Sequence, residues 1–220
     1  MKRTELARYI DHTLLKADAT RQEIHQLVHE ALAFETFAVC VNSGYVKDAA
    51  NARGGASGLA IAATVGFPLG QSLTAAKVAE TRAALDAEAD EIDLVWNLGL
   101  FLSDDWDRVE TDIRAVVSEA GPVPVKVILE TARLEPEQIR RGARLAVTAG
   151  AHTVKTSTGF GFPGATRDAV AVLRDTVGPH IGVKASGGIR TYEDALMMIG
   201  AGATRLGVSR TATILAGAEE

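Results

Sequence analysis

The sequence has little cysteine, few aromatic residues and no long apolar run. Cys40 is the only cysteine among 220 residues, so an internal disulfide framework and a metal site made of cysteines alone are excluded. We expect its thiol to be a small core group. No stretch reaches the roughly 20 apolar residues that cross a bilayer, and the N-terminus lacks the apolar segment of a signal peptide. These absences predict a cytoplasmic protein with no membrane partner.

Runs of basic residues are also missing, and the net charge is −5. A nucleic-acid partner is therefore not expected, because such proteins carry a basic footprint. A small phosphorylated molecule remains possible, since a local pocket can be positive on an acidic protein. The chain is 47% hydrophobic and 23% charged, which is typical of a folded globular protein and excludes a disordered one. We expect residues 1–220 to form one domain.

Short β-branched runs alternate with longer amphipathic stretches along the whole chain. Successive runs are 21 to 33 residues apart, and a strand with its helix and loops needs about thirty. This spacing predicts a single (β/α)8 TIM barrel with a short N-terminal helix and a short closing helix. An open doubly wound sheet is the alternative, but no Gly-x-Gly-x-x-Gly follows the first strand. The candidate strands are Ile10–His12, Phe37–Asn42, Leu59–Val65, Glu91–Trp96, Val125–Glu130, Thr153–Lys155, Gly182–Lys184 and Arg205–Val208.

Several helix starts are marked by local sequence. Thr20 and Thr191 each stand three residues before an acidic residue, the spacing of a capping box. Pro136 suits the first position of a helix. Ser103 or Asp104 is expected to cap the helix that follows the fourth strand.

Two segments near the end of the chain are alike, at residues 154–159 and 183–188. Each places a lysine, Lys155 or Lys184, at the end of an apolar strand, where barrel enzymes carry their reactive groups. Adjacent strands are about 4.8 Å apart, so the two ammonium groups are expected to repel each other. Desolvation and a like charge both disfavour charged lysine, which predicts one neutral, nucleophilic amine near pH 7. The alternative is that each lysine forms an independent salt bridge.

Charged residues on three other strands are expected to point into the barrel. Asp93 lies between apolar neighbours and is a candidate proton shuttle, or the ion-pair partner of Lys184 or Lys126. Asp11 is a similar candidate on the first strand. Lys126 and Glu130 are four residues apart, so the alternation of a strand places both on one face, where we expect them to pair as supporting residues.

The histidines argue against a metal site, and none is predicted. His25 and His29 share one face of an outer helix but lack the intervening glutamate of a zinc-protease motif. His152 and His180 precede strands six and seven, at the end of the barrel away from the reactive one. His12 is expected to face the helices.

Three loops rich in glycine and hydroxyl residues follow strands six, seven and eight. Backbone N–H groups in such loops bind phosphate, and barrel enzymes often place phosphate after strands seven and eight. The alternative is that these are ordinary tight turns. The candidate phosphate ligands are Thr158, Gly159, Gly187, Gly188, Gly207, Ser209 and Arg210.

These segments resemble those of the deoxyribose-phosphate aldolases, a class I, Schiff-base aldolase family. The two lysine segments, VKTSTGF and VKASGGIR, carry the most specific part of the resemblance. It extends over residues 10–209 and also includes residues 10–16, 40–42, 91–93 and 126–131.

The resemblance implies a role for each matching residue. Lys155 matches the Schiff-base lysine, Lys184 the second lysine that tunes it, and Asp93 the carboxylate that shuttles protons with water. Asp11 and Lys126 are expected to support them. The glycine and serine loops match the phosphate site. One departure is that family members often have two serines after strand eight, where this chain has Ser209 and Arg210.

The implied activity is that of a lyase in deoxyribose phosphate catabolism. It cleaves 2-deoxy-D-ribose 5-phosphate reversibly to D-glyceraldehyde 3-phosphate and acetaldehyde. A lysine imine serves as the electron sink, so no metal and no cofactor are expected. The partners are small sugar phosphates and aldehydes, and a homo-oligomer is possible.

Two other functions remain open at this point. A sugar-phosphate isomerase needs a base and often a histidine, and no histidine falls at the carboxyl end of a predicted strand. A non-catalytic barrel that senses sugar phosphates would not need two strand-end lysines.

Overall fold

The computed structural model describes residues 1–219, and its eight strands close into a parallel barrel. Each strand pairs with the next along the chain, and the last pairs with the first. The predicted (β/α)8 barrel is confirmed, and the doubly wound alternative is wrong. The strands are β1 (Ile10–Leu14), β2 (Ala38–Asn42), β3 (Ala60–Val65), β4 (Glu91–Val95), β5 (Val125–Ile128), β6 (Thr153–Lys155), β7 (Gly182–Ser186) and β8 (Arg205–Val208).

Helices surround the barrel, and a short one precedes the first strand, as predicted. Two 3-10 turns follow β2 and β5, at Ser43–Tyr45 and Thr131–Arg133. Within residues 1–219, no helix is both long and apolar enough to cross a membrane. The helices are α1 (Arg3–Ala7), α2 (Arg21–Phe34), α3 (Val46–Arg53), α4 (Thr74–Asp86), α5 (Leu98–Leu102), α6 (Trp106–Ala120), α7 (Pro136–Thr148), α8 (Arg167–Val177), α9 (Tyr192–Gly200) and α10 (Thr211–Ala216).

Three of the predicted helix starts are confirmed and one is wrong. Pro136 is the first residue of α7. The hydroxyls of Thr20 and Thr191 accept N–H groups of the first turns of α2 and α9, at 3.3 and 3.2 Å. The expected cap at Ser103 or Asp104 is wrong, because the short helix α5 ends just before it. Asp104 has a φ of 61° and belongs to the turn between the two helices, and α6 begins only at Trp106.

Strand register explains why charged residues from different strands meet inside the barrel. The main apolar core lies between the strands and the helices, where Ile92 and Val127 are fully buried. Residues on the opposite faces of the strands point inward. Asp93 pairs in register with Lys126, and Lys155 with Lys184. The barrel interior is therefore charged at the level of Lys155 and Lys184. Lys155 ends β6 as predicted, but β7 continues to Ser186, so Lys184 lies within its strand and the predicted strand-end position is wrong for it.

Candidate active site

Seven charged side chains occupy the interior of the barrel, where branched apolar residues are the usual filling. All are linked by ion pairs, and Lys184, Asp11 and Asp93 are wholly removed from solvent. The inward positions predicted for the aspartates and lysines are confirmed. The seven residues, called the interior cluster below, are Asp11, Glu91, Asp93, Lys126, Lys155, Lys184 and Arg205.

Asp93 is the centre of the interior cluster. Its Oδ1 accepts a hydrogen bond from Lys126 Nζ at 2.7 Å. Its Oδ2 accepts from Lys155 Nζ at 2.7 Å and from Lys184 Nζ at 2.8 Å. Burial alone would raise the pKa of Asp93, but the three lysine charges outweigh it and hold the pKa well below its ordinary value. The carboxylate is therefore an anion throughout the working pH range.

The expected repulsion between Lys155 and Lys184 is replaced by a shared carboxylate. Lys184 Nζ also donates to Asp11. Burial acts to lower the pKa of Lys184, but Asp11 and then Asp93 raise it above its ordinary value. Repulsion between the lysines is therefore outweighed at Lys184, because the carboxylate between them was not part of that argument. The alternative of two independent salt bridges is also wrong.

Two members of the interior cluster are missing from the sequence predictions. Glu91 Oε2 lies 2.8 Å from Lys126 Nζ. Arg205 donates to Asp11 Oδ1 at 2.6 Å and to Glu91 Oε1 at 3.2 Å. Glu91 precedes Asp93 by two residues on one strand, so alternation alone places both on the inner face. No comparable local pattern identifies Arg205, whose partners come from β1 and β4.

Glu130 does not pair with Lys126, which corrects a second prediction. The strand β5 ends at Ile128, and Glu130 follows it with a φ of 55°. Because the alternation of side chains stops where the strand stops, its side chain turns toward the next loop. There Glu130 Oε2 accepts from the N–H and the hydroxyl of Thr158, at 3.1 and 2.5 Å.

A cavity of about 390 Å³ opens at the carboxyl ends of the strands. Lys155 and all seven candidate phosphate ligands line it, so the lysine and the glycine-rich loops share one site. Lys16 and Arg190 also line it and were not among the predicted ligands. Gly187 has a φ of 79°, and a Cβ there would lie 2.9 Å from Gly164, so a side chain is not tolerated.

Cys40 and His12 lie where the sequence predicts them. The Cys40 thiol is buried inside the barrel, 3.9 Å from Asp93 Oδ2, and burial with the charge of Asp93 raises its pKa. His12 faces the helices, and its ring hydrogen-bonds Glu30 at 3.1 Å and Thr211 at 2.8 Å. The thiol is therefore protonated, and the imidazole serves packing outside the cavity.

A parallel (β/α)8 barrel whose cavity lies above a buried lysine–carboxylate cluster is the arrangement of a barrel enzyme. The family model for DeoC/LacD family aldolases matches residues 6–214. The chain belongs to this family of aldolases.

Individual relatives agree with the family over nearly the whole chain. Deoxyribose-phosphate aldolase of an Exiguobacterium species is 49% identical over 97% of this chain and 96% of its own. That of Macrococcus caseolyticus is 48% identical, over 97% of each chain. Among solved structures, the aldolase QR15 superposes with a TM-score of 0.92 at 37% identity, over 96% of this chain and 95% of its own. A tetrameric deoxyribose phosphate aldolase from Aeropyrum pernix gives 0.90 at 32% identity, over 98% of this chain and 91% of its own.

Proposed function

We propose that the protein cleaves 2-deoxy-D-ribose 5-phosphate reversibly to D-glyceraldehyde 3-phosphate and acetaldehyde, through a Schiff base on Lys155. The observation that carries this proposal is the position of Lys155. Lys155 lines the cavity, and its Nζ lies 2.7 Å from the buried carboxylate of Asp93. The glycine-rich loops across the cavity suit a phosphate, and the names of the relatives support the substrate. Residues 1–220 would act as one catalytic domain.

Lys155 rather than Lys184 is assigned as the nucleophile on two grounds. Lys155 lines the cavity, whereas Lys184 lies beneath it without exposed surface. Lys155 forms an ion pair with Asp93 alone, and Lys184 pairs with both Asp93 and Asp11. A nucleophilic amine must be neutral. Lys155 is therefore the amine that substrate reaches and the one that gives up fewer contacts on losing its proton.

The reaction follows from this arrangement. Neutral Lys155 attacks the C1 aldehyde to give a carbinolamine, which loses water to form an iminium. The C2–C3 bond then breaks, its electrons pass into the iminium to give an enamine, and the C3 hydroxyl loses its proton to a water molecule. D-Glyceraldehyde 3-phosphate leaves. The enamine is protonated at C2, and water releases acetaldehyde and regenerates the amine.

The interior cluster supplies charge and protons for these steps. Asp93 stays an anion and stabilises the positive iminium nitrogen through the contact it makes to the Lys155 ammonium. Lys184 is a charged ammonium bound to the same carboxylate oxygen and is the proton reservoir, with water as the relay. Acid–base assistance of this kind typically contributes about 10²–10⁴-fold in rate.

Reductive trapping tests the proposal directly. The protein is incubated with acetaldehyde and borohydride, and its peptides are analysed by mass spectrometry. An ethyl group on Lys155 is expected, and Lys155→Ala is expected to lose both the adduct and turnover while remaining folded. Lys47→Ala, at an exposed lysine, is the control and should keep both. A folded wild-type protein without any adduct contradicts the Schiff base, and an adduct on Lys184 reverses the two roles.

The two alternative functions are not supported by the family. A sugar-phosphate isomerase and a non-catalytic sensor both disagree with membership among the aldolases. Self-association is a further part of the proposal, supported by the tetramer described for the Aeropyrum pernix relative. Light scattering of the purified protein tests it, and a mass of one chain contradicts it. A cytoplasmic location stays a prediction.

A further inference from the structure

The amino-terminal end of the barrel is closed by an arginine that none of the reaction steps uses. Arg205 opens β8 and Glu91 opens β4, so both lie at the end of the barrel away from the cavity. Arg205 bridges Asp11 and Glu91 at 2.6 and 3.2 Å, and its guanidinium carbon lies 3.4 Å from the centre of the Phe37 ring. Glu91 in turn pairs with Lys126 at 2.8 Å. Arg205 and Glu91 are thus connected to Asp93 through Lys126.

The contacts of the interior cluster are distributed unequally among its cations. Lys126, Lys184 and Arg205 each contact two carboxylates. Lys155 contacts one. An arginine does not give up its proton in proteins. The cluster holds four basic groups and three carboxylates, so its charges cancel only when one lysine is neutral.

Titratable groups reach this interior from seven of the eight strands. They are Asp11 on β1, Cys40 on β2, Glu91 and Asp93 on β4, Lys126 on β5, Lys155 on β6, Lys184 on β7 and Arg205 on β8. An unbalanced charge in such a site is costly, because little water is present to screen it. The number of charges at the amino-terminal end of the barrel therefore affects whether Lys155 is protonated or neutral.

We propose that Glu91 and Arg205 are positioning residues that set the charge balance of the barrel interior, so that Lys155 becomes neutral while Lys126 and Lys184 stay protonated. The inference rests on the proposed function, because it concerns the amine that forms the Schiff base. Neither residue lines the cavity, so neither contacts the substrate.

The proposal predicts pH shifts of opposite sign for the two residues. Glu91→Gln removes a negative charge, which disfavours the protonated amine and moves the pH midpoint of Schiff-base formation down. Arg205→Met removes a positive charge and moves the midpoint up. Each shift should be roughly half a pH unit or more, as expected for a buried charge within about 10 Å. The double variant restores the balance and should return the midpoint toward the wild-type value.

Two further variants separate charge from packing. Arg205→Lys keeps the charge but loses the planar group that bridges two carboxylates, so its midpoint should stay near the wild-type value even if stability falls. Asp112→Asn breaks a buried ion pair with Lys77, at 2.6 Å between α4 and α6 and outside the interior cluster. It should lower stability without moving the midpoint.

The experiment is adduct formation on Lys155 with acetaldehyde and cyanoborohydride, from about pH 5 to about pH 9, with thermal unfolding of every variant in parallel. Opposite shifts that cancel in the double variant support the proposal. Shifts of the same sign, no shift, or a double variant worse than both single ones overturns it. If Arg205→Met does not fold, Glu91→Gln and Arg205→Lys decide alone, and an unmoved Glu91→Gln midpoint overturns the proposal. A wild-type protein without an adduct contradicts the proposed function instead, which distinguishes the two failures.

Discussion

The contacts of Asp93 would let one carboxylate serve the proposed catalytic cycle without changing its charge. Its oxygens bind Lys126, Lys155 and Lys184, and these contacts keep its pKa far below the working pH. The proposed iminium on Lys155 carries the same positive charge as an ammonium, so its contact with Asp93 would be kept during the reaction. A carboxylate held this way is a weak base, which is why the proposed proton reservoir is the neighbouring ammonium of Lys184.

Replacing Lys184 tests its proposed role as the proton reservoir beside Asp93. Lys184→Leu removes a positive charge from beside Asp93, so a proton on Lys155 is better compensated and Schiff-base formation should require a higher pH. Turnover should fall by about 10²–10⁴-fold, the usual contribution of acid–base assistance. The measurement is the pH profile of acetaldehyde trapping, with Lys47→Leu as the exposed control. An unchanged profile refutes the tuning role.

The stability of the Lys184 variant has to be measured alongside. The substitution leaves Asp11 with Arg205 as its cation partner. Removing one member of a buried ion pair typically destabilises a protein by about 3–5 kcal/mol. Urea unfolding at the pH of each assay shows whether the variant is folded where its trapping is compared.

His12 gives a pH-dependent contribution to stability. Burial lowers the pKa of His12 and outweighs the hydrogen bond and charge of Glu30. The imidazole is therefore protonated at a lower pH in the folded protein than in the unfolded chain. The unfolded chain takes up a proton near pH 6.5. This contribution is present above that pH and is lost as the pH falls toward the folded pKa.

His12→Gln should therefore weaken the pH dependence of stability. Between about pH 7 and about pH 5, the free energy of unfolding should fall less steeply in the variant than in the wild type. His29→Gln, on the exposed side of α2, is the control and should keep the wild-type slope. Urea unfolding at both pH values measures the difference. A His12→Gln slope as steep as that of the wild type excludes this imidazole as the cause.

At the scale of strands and helices, periodicity and capping residues predicted most of what the structure shows. The spacing of β-branched runs located every strand, and Thr20 and Thr191 marked two helix starts. The exceptions occur where a segment ends earlier than its pattern. Residues 98–105 form a separate short helix and turn, and β5 stops at Ile128, which turns Glu130 away from the interior.

The interior cluster was predicted only where the sequence has a local pattern. Lys155 and Lys184 were found by their repeated segments, and Asp93 and Asp11 by strand alternation. Arg205 was not predicted, because its partners Asp11 and Glu91 lie on β1 and β4 and no spacing along the chain indicates those contacts. The same limit applies to the argument from lysine repulsion, since carboxylates on β1 and β4 raise the pKa of Lys184.

Packing between α7 and the fourth strand allows a test at this scale. A Cβ on Gly142 would lie 2.6 Å from the ring of Trp96, which is fully buried. Gly142→Ala should destabilise the protein by about 1–3 kcal/mol, the usual effect of overpacking a core. Gly200→Ala, at the end of α9, has open space around the new methyl group and should be neutral or slightly stabilising. Thermal unfolding compares them, and equal melting temperatures contradict the packing argument.

For the whole molecule, the net charge and the charge of the cavity have opposite signs. The chain carries −5 overall, but Lys16, Arg190 and Arg210 are exposed and line the same cavity as the glycine-rich loops. A dianionic substrate is repelled by the protein at long range and attracted at the mouth of the cavity. Exposed charges of this kind are screened over about 8–10 Å at physiological salt.

Salt should therefore affect the phosphorylated substrate selectively. The KM for 2-deoxy-D-ribose 5-phosphate should rise with sodium chloride while kcat stays nearly constant, because screening weakens attraction to the rim and leaves the buried cluster intact. Unphosphorylated 2-deoxy-D-ribose is the matched control, and its KM should be insensitive to salt. Arg210→Ser should raise the KM for the phosphorylated substrate roughly threefold and flatten its salt dependence, since one exposed cation contributes little more than about 0.5–1 kcal/mol. Equal salt dependence for the two substrates would place the phosphate away from this rim.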